Sequence, residues 1–212
     1  MRTDELISAL AAAGGPVPGA SIRRALSISV LVGAGLTFAL LQSWLGLRPL
    51  DVALATPSFW MKAAYTICLT LSGLVMIWRL ARPEGRMGGA LAALGLTLAA
   101  MMIMGGVNLA LTPALTLSEV WLGETWGLCP WRILALSVPV YGVLIVVLRR
   151  LAPTRLSVAG AAAGLVAGGV AASLYGLYCQ ESTAAFVATW YTLGIGISAA
   201  MGGLVGARLL RW

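Results

Sequence analysis

Two cysteines carry most of the chemistry available to this sequence. Cys129 stands in Gly127-Leu128-Cys129-Pro130-Trp131-Arg132, and Cys179 stands in Leu177-Tyr178-Cys179-Gln180-Glu181. Each lies at the edge of a long apolar run. The chain contains no histidine, which excludes histidine-based catalysis and ligation. The spacing forms neither C-x-x-C nor a zinc pattern, and three cysteines are too few for a disulfide scaffold. Two readings of the outer pair stand side by side. One is a structural disulfide. The other is a reactive pair that senses oxidants or soft metal ions, since thiolates favour soft metals. Glu181, Glu124 and Tyr178 are the neighbours in sequence able to assist. The third cysteine, Cys68, falls inside an apolar run and is expected to be buried and inert.

The elements that position this pair are membrane spans. Of the 212 residues, 60% are hydrophobic and 10% charged, and mean hydropathy is +0.94. A soluble domain carries about 25% charged residues, so this chain has too few to cover a water-facing surface. Charges divide it into uncharged runs at 25–47, 63–78, 87–118, 133–148, 156–180 and 182–207. A spanning helix needs about 20 apolar residues, so each run holds one. The expected fold is all-α, a bundle of six transmembrane helices over about 25–46, 59–79, 88–109, 131–148, 156–177 and 185–207. It forms a domain over 23–212. Lys62 and Arg132, at the ends of the two short runs, are expected to snorkel to the interface. An interfacial stretch is expected after Pro113. The first run is too long for a signal peptide and reads as a retained helix.

Orientation follows from the basic residues. With the N-terminus inside, the cytoplasmic loops hold Arg2, Arg23, Arg24, Arg79, Arg82, Arg86, Arg149, Arg150, Arg155, Arg208 and Arg211, against Arg48, Lys62 and Arg132 outside. The expectation is N-in and C-in. Both Cys129 and Cys179 then fall at the outer surface, which in a Gram-negative cell faces an oxidising compartment. The net charge of +7 is membrane patterning, not a nucleic-acid footprint.

Small residues let spans approach closely. Gly160, Gly164 and Gly168 form a doubled GxxxG, and Gly202 and Gly206 form another. Packing inside the bundle is the favoured reading, with a dimer face as the alternative. Residues 1–22 form a cytoplasmic segment. Thr3 caps a short helix, Asp4 and Glu5 suit its positive end, and Leu6, Ile7 and Leu10 make an apolar stripe. Such a stripe either lies on the membrane or docks into a partner's groove.

Several short motifs, in order, resemble a bacterial family, the NrsF-type membrane anti-sigma factors. They are Met1-Arg2-Thr3-Asp4-Glu5-Leu6-Ile7, Leu45-Gly46-Leu47-Arg48-Pro49 with Phe59 after it, Cys129-Pro130, Ala152-Pro153-Thr154, Phe186 with Trp190-Tyr191, and Arg208-Leu209-Leu210-Arg211-Trp212. The family's second cysteine motif is His-Cys-Pro-Glu. Here it is Tyr178-Cys179-Gln180-Glu181, so no histidine is present to assist a metal. The resemblance implies a multi-pass inner-membrane protein that sequesters an extracytoplasmic-function (ECF) sigma factor on its cytoplasmic face. A periplasmic stress signal, metal or oxidant, would release it. Cys129 and Cys179 match the family's paired cysteines. Asp4, Glu5, Leu6, Ile7 and Leu10 would contact the sigma factor. No enzyme activity, cofactor, small-molecule substrate or direct nucleic-acid contact is expected. Competing readings are a membrane thiol oxidoreductase, a small transporter or channel, and a structural membrane subunit. Cofactor retention with thiol turnover would reveal the first of these. A flux assay would reveal the second, and sigma-factor pull-down would argue against the third.

Overall fold

The computed structural model describes residues 3–13, 19–82, 85 and 87–211; the side chains of residues 10–13, 19, 20 and 115 lie outside that description. No strand occurs among the described residues. A short helix α1 (Thr3–Ala13) precedes α2 (Gly19–Trp44). After α3 (Leu50–Ala55) come α4 (Pro57–Leu80) and α5 (Gly88–Ala110). A single 3-10 turn (Ala114–Thr116) leads into α6 (Leu117–Leu122), then α7 (Cys129–Leu151) and α8 (Leu156–Tyr175). The last long helix begins as α9 (Ala184–Phe186), passes through a π-helical turn (Val187–Tyr191) and ends as α10 (Thr192–Leu209). Six of these helices are long and apolar enough to span a membrane: Ser21–Trp44, Pro57–Leu80, Gly88–Ala110, Cys129–Leu151, Leu156–Tyr175 and Ala184–Leu209.

The helix limits follow local chemistry. Proline enters α4 at Pro57 and α7 at Pro130, where its missing N–H would lack a helical partner anyway. Asp51 and Glu119 occupy the first turns of α3 and α6, against the positive end of each dipole. Helix α7 ends at Ala152, which adopts a left-handed conformation (φ 47°) before Pro153. Helix α3 is six residues long and has too little apolar periodicity to be read from sequence. The segment after Pro113 is helical as α6.

Helix α8 is the centre of the bundle. It is the most enclosed of the six and packs on α10, α4 and α7. Its small residues make this possible. A Cβ placed on Gly206 would stand 2.6 Å from the Gly160 α-carbon, and one on Gly202 would stand 2.8 Å from the Gly164 α-carbon. The backbones of α8 and α10 are therefore in direct contact along Gly160, Gly164, Gly168, Gly202 and Gly206. In a lipid surrounding no hydrophobic drive would favour this association, and close van der Waals fit would have to supply it. Tyr141 adds a hydrogen bond from its hydroxyl to the Gly202 carbonyl at 2.7 Å. Helix α2 packs on α7, where the buried Thr37 hydroxyl donates to the Leu136 carbonyl at 3.0 Å.

The two ends of the bundle differ in charge. Arg23, Arg24, Arg79, Arg82, Arg149, Arg150, Arg155, Arg208 and Arg211 gather at one end. There Trp78 lies between the Arg82 guanidinium at 4.1 Å and that of Arg23 at 5.5 Å. Arg149 donates to the Leu209 carbonyl at 2.7 Å. The opposite end holds Asp51, Glu119, Glu124, Glu181 and both cysteine motifs. It also gathers the indoles: Trp190 stacks near Trp121 and Trp126 at centroid distances of 6.2 and 5.3 Å.

Two expectations about individual side chains are corrected. Lys62 does not snorkel outward. It sits in the second turn of α4 on the face that carries Tyr65, Thr66 and Leu69, and that face points into the bundle. Cys68 is exposed, not buried, because it lies on the outward face of α4 beside α5, in a groove with Ala64, Thr97 and Met101.

Candidate functional site

Cys129 is the first residue of α7, and its N–H bonds to the Thr125 carbonyl at 2.9 Å. Cys179 follows α8 on a turn that continues the helix, with its N–H on the Tyr175 carbonyl at 2.9 Å. Both side chains are buried, both are free thiols, and the two lie within electrostatic range of each other. The structure thus brings together, beneath one end of the bundle, two residues fifty positions apart in sequence.

A buried cation lies beside them. The Lys62 ammonium, 2% exposed, donates to the Cys179 carbonyl at 3.2 Å. It stands 5.8 Å from the centre of the Tyr191 ring. Both thiols, Glu181 and Arg48 lie within its electrostatic range. An ammonium removed from water needs compensating partners. A helix C-terminus supplies some compensation through its free carbonyls.

Two tyrosines pack beside the thiols. Tyr175 and Tyr191 are fully buried, with ring centroids 5.9 Å apart. Neither hydroxyl makes a hydrogen bond of standard geometry among the described residues. Tyr191 reaches this position from the π-helical turn, an irregularity frequent at functional sites. Its hydroxyl lies within electrostatic range of both thiols, as does that of Tyr175.

Of the residues expected to assist the thiols, Glu181 is anchored on the loop before α7. Its carboxylate accepts from the Glu124 N–H at 2.8 Å and from the Thr125 hydroxyl at 3.3 Å. Gly123 makes room for it with φ 58° and ψ −168°, a conformation open almost only to glycine. Glu124 contributes its backbone to this contact while its side chain is exposed. Tyr178 lies under the Arg132 guanidinium at 5.5 Å and beside Tyr175 at 5.7 Å. Glu119, Glu124 and Glu181 also line an open depression of about 450 Å³ with Gly123 and Gln180. No group of three or more His, Cys, Asp or Glu side chains placed to share a metal ion occurs among the described residues. The cysteine pair offers two sulfur donors, with a lysine close by.

Lys62, Tyr175 and Tyr191 are site residues that sequence reasoning missed. The signal was present for Lys62. It shares the i, i+3, i+4, i+7 face of Tyr65, Thr66 and Leu69, a face marked inward by its threonine. At the other end of the molecule, α1 carries Asp4 and Glu5 in its first turn and exposes Leu6 and Ile7. The Leu10 side chain lies outside the described residues.

No solved structure matches the chain. Known sequences do. The chain is 41% identical, over the full length of both proteins, to the probable anti-sigma-F factor NrsF of Azospira oryzae. It is 40% identical, again over the full length of both, to the anti-sigma-F factor NrsF of Caulobacter vibrioides. Residues 10–212 match the family model described as negative regulator of sigma F. A bundle with paired thiols beneath one end, matched at this identity from end to end, belongs to the NrsF family of negative regulators of sigma F.

Proposed function

We propose that this protein is a membrane-embedded anti-sigma factor that holds an ECF sigma factor at the cytoplasmic face of a bacterial inner membrane. It releases the factor when a periplasmic metal or oxidant acts on Cys129 and Cys179. The observation that carries the reading is the separation of two chemistries along one bundle. The thiol pair is enclosed at the acidic end. The arginines occupy the other end, where α2 begins and to which α1, with its exposed Leu6 and Ile7, is joined by the five residues 14–18. The excess of arginine supports an N-in and C-in orientation. Leu6 and Ile7, exposed on a helix of eleven residues, suit insertion into a groove of the sigma factor. Asp4, Glu5 and Leu10 complete the proposed contact surface.

In this reading a change at the thiols shifts α7 and α8, which pack tightly on α10. The cytoplasmic loops and α1 then move with the far ends of those helices. A two-state bundle whose balance both ends bias is the physical requirement.

Co-purification tests this directly. The solubilised protein and a Cys129→Ser/Cys179→Ser double variant are each captured from their own cells, with and without a thiol oxidant or a cadmium salt. Retention of a sigma factor by both, with stress-dependent release only from the wild type, is the expected result. Absence of any sigma factor from both captures refutes the reading.

A further inference from the structure

Three basic residues lie at the cysteine end of the bundle, and all three converge on the same five residues. Arg48, from the loop after α2, donates to the Gly176 carbonyl at 3.4 Å. Lys62, from α4, donates to the Cys179 carbonyl at 3.2 Å. Arg132, from α7, lies over the Tyr178 ring at 5.5 Å and within electrostatic range of Tyr175. The stretch 175–179 is the last residue of α8 and the turn after it, beside the helix C-terminus, where carbonyls lack helical partners and the helix dipole is negative. Cations from three separate elements thus fasten the turn that carries Cys179.

Lys62 differs from the two arginines in its surroundings. Arg48 and Arg132 are only partly enclosed, whereas Lys62 is 2% exposed. A lysine one and a half turns from the start of a spanning helix has an alternative position. Its four-carbon stem can run along the apolar surface and place the ammonium among headgroups and water. Inside, the ammonium has a carbonyl at 3.2 Å, a ring face at 5.8 Å and two sulfurs in range. Outside, it would be fully hydrated. Of these partners the Cys179 carbonyl is the hydrogen-bond acceptor, so its position bears directly on which of the two places the ammonium takes.

We propose that Lys62 is the positioning residue of the thiol pair: held inward by the Cys179 carbonyl, it keeps the Cys179 turn down on Cys129, and it swings out to the membrane surface when that turn moves. Arg48 and Arg132 fasten the same turn from two other sides. The inference rests on the sensing reading above. It adds a discrete two-position element that the reading requires. Chemistry at either sulfur that displaces the turn withdraws the carbonyl and leaves the ammonium without its partner. Movement of the lysine outward then removes one tie between α4 and the end of α8.

Lys62 is the sole lysine of the sequence, so its amine can be read alone. The full chain in lipid nanodiscs is treated with a sulfonated N-hydroxysuccinimide ester, and acylation of Lys62 is followed by mass spectrometry against a free lysine peptide in the same tube. Resting wild type should label at least tenfold more slowly than the peptide. An Arg48→Gln/Arg132→Gln double variant, whose turn is less firmly held, should label at least fivefold faster than wild type. A second measurement uses a charged maleimide on Cys179 in a Cys68→Ser background. Lys62→Met should raise its rate at least fivefold, and Lys62→Arg should restore it. Resting acylation at the peptide's rate, or a maleimide rate that Lys62→Met leaves unchanged, overturns the proposal. Both readouts are independent of any sigma factor. Loss of the sensing function alone would therefore appear as failed sigma release with both rates as expected.

Discussion

The α-carbons of Gly160 and Gly206 approach so closely that no side chain fits between them: a Cβ on Gly206 would stand 2.6 Å from the Gly160 α-carbon. Neither α8 nor α10 can yield there without separating. Gly160→Leu and Gly206→Leu should each destabilise the fold by about 1–3 kcal/mol, the usual range for overpacking a tight core. Gly88→Leu, at a position with open space around it, should not. Thermal unfolding followed by size-exclusion chromatography in detergent checks the contrast.

The loop before α7 depends on one glycine. Gly123 adopts φ 58° and ψ −168° with the Glu181 carboxylate against it. Gly123→Ala should cost about 1–3 kcal/mol of backbone strain. It should also break the carboxylate's bonds to the Glu124 N–H and the Thr125 hydroxyl. Limited proteolysis around residues 123–125 should accelerate in this variant and in Glu181→Ala alike.

Thr37 bridges α2 and α7 through the Leu136 carbonyl. Hydrogen bonds between spanning helices contribute about 0.6 kcal/mol on average and up to about 1.7. Thr37→Val keeps the shape and removes the donor, so its cost should lie in that range. Unfolding in mixed micelles of increasing denaturing detergent measures it.

Orientation has a direct reporter. With both termini cytoplasmic, green fluorescent protein fused after residue 212 should fluoresce, and alkaline phosphatase fused within 119–124 should be active. The reverse pattern would invert every assignment of face, including that of the thiols.

The proposed role of the α1 stripe can be tested apart from the bundle. Replacing Leu6, Ile7 and Leu10 by serine should free the sigma factor while leaving insertion and thermal stability unchanged. Sigma retention equal to wild type would remove α1 from the contact.

The long helices were legible in the sequence because the signal is coarse: charge-free runs bounded by arginine. The limits moved by a few residues where a helix runs on past the charges that bound its apolar run, as at Gly19, where α2 begins before Arg23. The glycine contacts between α8 and α10 were legible as spacing, although only the structure pairs Gly160 with Gly206. Lys62 was misread for a physical reason. A lysine near a span end has two acceptable positions, and the face it shares with Tyr65, Thr66 and Leu69 points to the inward one without naming the acceptor that holds it there. The deciding carbonyl belongs to Cys179, which stands 117 positions later. Tyr191 was missed because its inward direction depends on the π-helical turn, which has no compositional mark.

That turn, Val187–Tyr191, makes the final helix two rods in different phase. A π-helical turn accommodates one residue more than an α-helical turn would, and each residue of an α-helix advances the azimuth by about 100°. Ahead of the turn, Phe186 faces the core; beyond it, Gly202 and Gly206 face α8. Excising one residue from 187–191 would rotate the two rods relative to each other by about that angle. Either the glycines would leave α8 or Phe186 would leave the core. The turn thus acts as a phase coupler, allowing one continuous helix to satisfy two otherwise incompatible faces.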